Sequence, residues 1–230
     1  KNEYEDILNR RFHAQPVACN HCGPSYQLIC KNKTYHDFNE ILKQISNEIE
    51  NGEIIAVKGL GGFNLMCDAF NEKAVNKLRE IKQRDGKPFA VMFRDLETTE
   101  RYAEVNECEK SALQSWQSPI VLLNKKKTGN HFQNEIAFGI CNNLNTIGTF
   151  LPYLPFHHLL FSKLKTAAIV LTSGNISDEP IAISNQEAII KFSDLLDSIL
   201  IYNRDIYNRT DDSVVRVVNN ETRMIRRSRG

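Results

Sequence analysis

From Asp37 onward the apolar residues keep two rhythms in turn. Phe38, Ile41, Leu42, Ile45 and Ile49 recur at three- and four-residue spacing, which places them on one helical face, and the run stops at Asn51-Gly52, a helix C-terminal signal. Glu53 to Lys58 then predicts a strand, Gly59 to Gly62 a glycine-rich turn, and Phe63 to Cys67 a second strand. Ala74, Val75, Leu78 and Ile81 mark another helix running to about Arg84, and Pro88 to Phe93 reads as extended. Pro119 to Leu123, Ala167 to Leu171, Ile199 to Tyr202 and Ser213 to Val218 are short apolar runs suited to buried strands, with helical segments between several of them. Strands alternating with helices predict an α/β domain built on a twisted, mixed sheet.

Composition narrows the class. The 230 residues are 41% hydrophobic and 25% charged, which suits a globular chain and excludes disorder, collagen and coiled coil. No apolar run approaches the ~20 residues of a membrane helix. Lys plus Arg number 29 against 28 acidic residues, so the formal charge of +1 removes any global argument for a polyanion-binding surface and argues against nucleic acid as a partner. Six cysteines without a preceding secretory signal predict a reducing, cytoplasmic setting. The chain opens at Lys1 and stops at Gly230 directly after a basic, strand-like run, and so reads as a piece of a longer polypeptide.

Residues 1 to 26 are more polar than the rest and carry Cys19-x-x-Cys22 followed by Gly23-Pro24. Such a turn points two thiolates at one metal, yet a structural zinc needs four ligands and no second Cys-x-x-Cys follows. The pair is therefore half of a zinc site, completed by His13, His21 or residues elsewhere, or else a redox pair or chance spacing. The expected division is 1–34 as a partial zinc-finger region and 35–230 as the α/β domain.

Within that domain three segments suit phosphate. Lys58-Gly59-Leu60-Gly61-Gly62 leaves a strand with glycines that let backbone amides approach a ligand, although it matches neither a Walker loop nor a dinucleotide fingerprint and equally serves as a plain connection. Lys82, Arg84 and Lys87 crowd a helix end ahead of Pro88, where cations also serve the helix dipole. Thr172-Ser173-Gly174-Asn175 leaves a buried strand at the kind of end where α/β sheets bind ligands, with a turn cluster as the plain alternative. Arg209-x-Asp211-Asp212-Ser213 adds a carboxylate and arginine cluster, and Arg226-Arg227-x-Arg229 closes the chain.

Taken in order, Lys58-Gly59-Leu60-Gly61-Gly62-Phe63, Cys67-Asp68-Ala69, Lys82-x-Arg84, Lys87-Pro88-Phe89-Ala90, Leu151-Pro152-Tyr153, Thr172-Ser173-Gly174-Asn175, Arg209-x-Asp211-Asp212-Ser213 and Arg226-Arg227-x-Arg229-Gly230 resemble the YrdC-like domain of the HypF hydrogenase-maturation carbamoyltransferases. Arg10 to Pro16 with Cys19-x-x-Cys22-Gly23-Pro24 is similar to the last half of that family's zinc-finger region, whose partner cysteines lie upstream.

The resemblance implies a YrdC-like fold, related to a double-stranded-RNA-binding architecture, with a concave nucleotide site. It implies ATP, Mg²⁺ and Zn²⁺ as cofactors, and carbamoyl phosphate as the source of carbamate. Carbamate joins ATP to give carbamoyl-adenylate with loss of pyrophosphate. A following domain passes the carbamoyl group to the C-terminal cysteine of a HypE-type partner, where it becomes a cyanide ligand of [NiFe]-hydrogenase. By residue, it implies that Lys82 and Arg84 hold the triphosphate, that Ser173 and Asn175 act at the α-phosphate and carbamoyl group with Thr172 beside them, that Lys58 and Arg229 make further phosphate contacts, and that Cys19 and Cys22 bind metal. Asn64, Ser118, Tyr202 and Asp205 depart from residues frequent in the family. The alternatives are a threonylcarbamoyl-adenylate synthase for tRNA modification, or a YrdC-like RNA-binding module.

Overall fold

The computed structural model describes residues 5–9, 23–84, 86–126, 135–176 and 179–228. In chain order these form β1 (Tyr26–Cys30), β2 (Thr34–Tyr35), α1 (Phe38–Glu50), β3 (Ile55–Lys58), β4 (Phe63–Asp68), α2 (Glu72–Lys82), β5 (Ala90–Phe93), α3 (Leu96–Tyr102) and β6 (Ala103–Glu104). There follow α4 (Glu107–Leu113), β7 (Ile120–Lys125), α5 (Phe138–Cys141), β8 (Thr146–Phe150), α6 (Pro155–Phe161), β9 (Ala168–Ser173), α7 (Asn185–Phe192), β10 (Ser198–Tyr202), β11 (Val214–Val218) and β12 (Glu221–Arg226). One sheet joins the strands in the order β12-β11-β7-β8-β5-β9-β4-β3-β10-β1-β2, with β6 beside β7. It is mixed: β10–β3, β5–β8 and β7–β11 run parallel and the other pairs antiparallel.

Side-chain alternation splits the core between the two faces of this sheet. Ile54, Ala56, Phe63, Leu65 and Cys67 pack on one face with Val75 and Leu78 of α2 and Ala188 and Phe192 of α7. Ile55, Val57, Met66, Leu171 and Phe150 pack on the other with Ile41, Leu42, Ile45 and Ile49 of α1 and Leu160 of α6. The central strands thus carry apolar residues at consecutive positions because both faces are covered. Asp37 starts α1 by accepting the Glu40 N–H at 2.9 Å, and the apolar stripe that predicted this helix is its buried side.

The expected α/β architecture with a twisted mixed sheet and flanking helices is the one found. The sheet, however, begins at Tyr26, inside the segment assigned to the partial zinc finger. Tyr26 to Cys30 pair in antiparallel register with Tyr202 to Ser198, and β2 closes that edge, so the division at 34/35 cuts through paired strands. Tyr26-Gln27-Leu28-Ile29-Cys30 is too short to stand out by periodicity, and the hydrogen bonds of β10 from far along the chain decide its state.

Candidate functional site

Helix α2 ends at the site. Gln83 takes a left-handed conformation (φ 47°), its N–H donating to Glu80 O at 3.0 Å while the Arg84 N–H donates to Arg79 O at 3.1 Å, a Schellman-type closure. This reversal sends Lys82 and Arg84 to different partners. The Lys82 ammonium is buried and donates to Ser173 O at 2.6 Å, Asn175 O at 2.8 Å and Asn175 Oδ1 at 3.1 Å. Arg84 donates through Nη1 to Thr172 Oγ1 at 3.2 Å and through Nη2 to Pro88 O at 2.7 Å. Its Nε is a buried donor with no hydrogen-bond partner among the described residues. The Phe89 ring holds this region, with Arg79 Cζ 4.8 Å and Arg84 Cζ 4.9 Å from its centroid.

The strand β9 delivers the other half. Ser173 Oγ donates to Asn175 Oδ1 at 2.7 Å, and Gly174 N–H donates to Phe63 O at 2.6 Å. A Cβ on Gly174 would meet Phe63 O at 2.7 Å, so the turn needs glycine for close approach. Burial pushes the Lys82 pKa down to about 7, with the positive charge of Arg84 the second cause. Three carbonyl oxygens face three ammonium protons, which is the geometry of the charged form. Burial, then Arg79, lowers Arg84 to about 10.

A cavity of about 250 Å³ opens beside this cluster. Arg84, Lys87, Thr172, Ser173, Asp211 and Arg226 supply its polar side, and Phe89, Ile120, Leu122, Leu171 and Val214 its apolar side. It adjoins a narrow recess formed by Gly61, Gly62, Asn64, Tyr153, Thr210 and Asp211. Wider hollows of about 640 Å³ beside Cys108 and about 730 Å³ beside Asp68 are lined by fewer cations, Arg227 in the first and Lys73 and Lys165 in the second.

The structure therefore brings together Lys82, Arg84, Thr172, Ser173 and Asn175. It does not bring Lys58 to them. Alternation along β3 puts Lys58 on the face of Ala56, toward α7, where its ammonium donates to Asn185 Oδ1 at 2.7 Å and Tyr202 O at 3.1 Å and burial lowers its pKa. Cys19, Cys22 and Arg229 lie outside the described residues. Asp211, Asp212 and Arg226 also line the cavity; the resemblance gives them no role at the site, although the Arg-x-Asp-Asp-Ser pattern is one of its motifs. An Arg226 Nη2 to Asp211 Oδ2 bond of 2.8 Å and Nη2 to Asp212 O of 2.8 Å fasten β12 to this segment.

The family model described as telomere recombination, for Sua5, YciO and YrdC, matches residues 47–228, and that described as the HypF finger matches residues 1–29. Carbamoyltransferase HypF of Rhodobacter capsulatus is 41% identical over 99% of this chain, which spans 29% of that protein's length. A crystal structure of full-length HypF in the phosphate- and nucleotide-bound form superposes with a TM-score of 0.88 at 45% identity, over 99% of this chain and 29% of that one. A putative threonylcarbamoyl-AMP synthase of Methanocaldococcus jannaschii is 30% identical over 60% of this chain and 62% of that protein. The chain belongs to the Sua5, YciO and YrdC family, and over nearly its whole length it is similar to the HypF carbamoyltransferases.

Proposed function

We propose that this domain joins carbamate, derived from carbamoyl phosphate, to ATP as carbamoyl-adenylate. The hydrogen-bonded cluster of Lys82, Arg84, Ser173 and Asn175, of which Arg84 and Ser173 line the cavity, carries the reading, supported by the chain's similarity to a HypF solved with phosphate and nucleotide bound.

A carbamate oxygen attacks the α-phosphorus, the bond to the bridging β-phosphate oxygen breaks, and pyrophosphate leaves with that electron pair. Carbamate is already an anion, so no general base is required. Negative charge accumulates on the departing pyrophosphate, and Lys82 and Arg84 offset it in a site whose burial raises the value of each cation. The partnerless Arg84 Nε is a donor suited to a phosphate oxygen. Ser173 and Asn175 hold the α-phosphate and carbamoyl oxygens, and Thr172 orients Arg84. The apolar wall of Phe89, Ile120, Leu122 and Val214 fits a purine ring. Asp211 offers a carboxylate oxygen at the cavity, the donor type that Mg²⁺ prefers, and Mg²⁺ would supply charge neutralisation of the triphosphate. Cys19 and Cys22 are the zinc ligands in this reading.

In the whole protein the carbamoyl group passes on to a HypE-type acceptor for cyanide ligand synthesis in [NiFe]-hydrogenase. Free thiols at Cys30, Cys67, Cys108 and Cys141 fit work in the cytoplasm, and no described helix is long and apolar enough to cross a membrane. ATP–pyrophosphate exchange tests the reading. Exchange that depends on carbamoyl phosphate or ammonium carbamate, and not on bicarbonate with threonine, is the expected result. The reverse dependence assigns the domain to threonylcarbamoyl-adenylate synthesis.

A further inference from the structure

Lys58 is the last residue of β3, and every residue of that strand is buried, the lysine included. Its ammonium donates to Asn185 Oδ1 at 2.7 Å and to Tyr202 O at 3.1 Å, and Asn185 Nδ2 donates to the same Tyr202 O at 3.3 Å. The three groups close a triangle that ties the end of β3 to the end of β10 and to the first residue of α7. A buried ammonium loses its hydration, and at a helix N-terminus the backbone dipole opposes it as well, so packing alone would favour an apolar side chain here.

The residues just before Asn185 run to the site. Ala182 belongs to a ring of three backbone bonds: Phe63 N–H donates to Ala182 O at 2.8 Å, Ala182 N–H to Gly174 O at 3.2 Å, and Gly174 N–H to Phe63 O at 2.6 Å. The two residues between Ala182 and Asn185 are fixed in turn, since Ile183 N–H donates to Glu187 Oε2 and Ser184 Oγ accepts the Glu187 N–H, both at 3.1 Å. The glycine turn leaves no slack beside them, because a Cβ on Gly62 would stand 2.3 Å from Ile181 Cγ2. Gly174 is the residue between Ser173 and Asn175. The turn is therefore held from one side by the Lys82 ammonium and from the other by the segment 181–184, whose far end Lys58 anchors.

We propose that Lys58 is a positioning residue acting through Asn185: it fixes the start of α7, and with it the segment that aligns Ser173 and Asn175 for the step at the α-phosphorus. The inference rests on the nucleotide reading above and gives Lys58 no contact with phosphate.

The test pairs native-state amide exchange by NMR with ATP–pyrophosphate exchange and ATP calorimetry, on the unaltered chain and on K58M, N185L, N185D and K58M/N185L. In K58M the Phe63, Gly174 and Ala182 amides should lose protection. Its exchange rate at saturating ATP should fall about ten- to a hundredfold, the effect of slightly misplaced reacting groups, while the ATP dissociation constant stays within about twofold. N185L should behave alike, N185D should retain most of the rate because it keeps an acceptor for the ammonium, and the double variant should be no slower than the slower single variant, since both changes break one link. A loss of ATP affinity in K58M as large as in Arg84→Ala makes Lys58 a phosphate contact and overturns the inference. Additive losses in the double variant, or an undiminished rate in folded K58M, also overturn it. Should K58M not fold, equal rates for N185L and N185D overturn it instead. If the unaltered chain shows no exchange with carbamoyl phosphate, the nucleotide reading fails; unchanged amide protection in K58M would separately remove Lys58 as the anchor of the turn.

Discussion

The Lys82 ammonium lies 2.6 Å from the carbonyl oxygen of Ser173, 91 residues further along the chain. The same nitrogen reaches both oxygens of Asn175, and Asn175 Oδ1 also accepts the Ser173 hydroxyl proton. Lys82 thus sets its charge behind the strand end whose Thr172 and Ser173 line the cavity, and braces the turn that follows.

Removing that charge should weaken nucleotide binding. Lys82→Ala and Arg84→Ala are each expected to lower ATP affinity by about one to two decades, the size of a lost charge-assisted contact. Lys125→Ala and Lys126→Ala, at the far end of β7, should leave it unchanged. Titration calorimetry decides it, and equal affinity in all four variants removes Lys82 and Arg84 from the site.

Ser173→Ala and Asn175→Ala should act on rate more than on binding. Both groups sit on a short glycine turn at the end of β9, within reach of a reacting α-phosphate but poorly placed to anchor a whole nucleotide. Bonds that strengthen in the transition state lower turnover and spare ground-state affinity. Pyrophosphate exchange measured beside ATP dissociation constants separates the two. A parallel fall in both would make these residues simple nucleotide contacts.

Binding should also take up a proton. Burial lowers the Lys82 pKa to about 7 while its three oxygen acceptors favour the charged form, so part of the free domain carries it neutral at pH 8, and a bound polyanion returns it toward the ordinary lysine value. Calorimetry at pH 8 in buffers of different ionisation enthalpy should register uptake of up to about one proton, and ATP affinity should fall as pH rises from 7 to 9. The sign for stability follows from the same pKa. The unfolded lysine titrates near 10.4, so between about pH 7 and 10.4 the unfolded chain binds the extra proton and the penalty of burying Lys82 is relieved as pH rises. The stability of Lys82→Met relative to the unaltered chain should therefore decline over that window, and a pH-independent difference in urea titrations would contradict the assignment.

Gly61→Ala should damage the site without touching its charges. A Cβ there would stand 1.9 Å from Thr210 Oγ1 and 2.4 Å from Thr210 O, so the segment carrying Asp211 and Asp212 must move. Overpacking of this kind costs about 1 to 3 kcal/mol, which thermal unfolding would read, and ATP affinity should fall with it. Unchanged melting and unchanged binding would mean that the segment has room to yield.

The sequence alone determined the elements whose signals are local. The stripe from Phe38 to Ile49 and the apolar runs of β3, β4, β9 and β10 carry their own periodicity, and the motifs Lys82-x-Arg84 and Ser173-x-Asn175 carry the resemblance to a known family. Only the tertiary structure decided which of the candidates meet. Lys58 stands next to the glycine turn in sequence, but its ammonium is taken up by Asn185 and the Tyr202 carbonyl. Strand β1, invisible in the pattern, exists because β10 offers it hydrogen-bonding partners at the sheet edge. Arg226 reaches the cavity because β12 folds back on β11, which lies beside β7 through a parallel pairing with residues far earlier in the chain. Periodicity reports on neighbours within a few residues, whereas a binding site is made where segments distant in sequence close on one another, and that closure is set by the packing of the whole sheet.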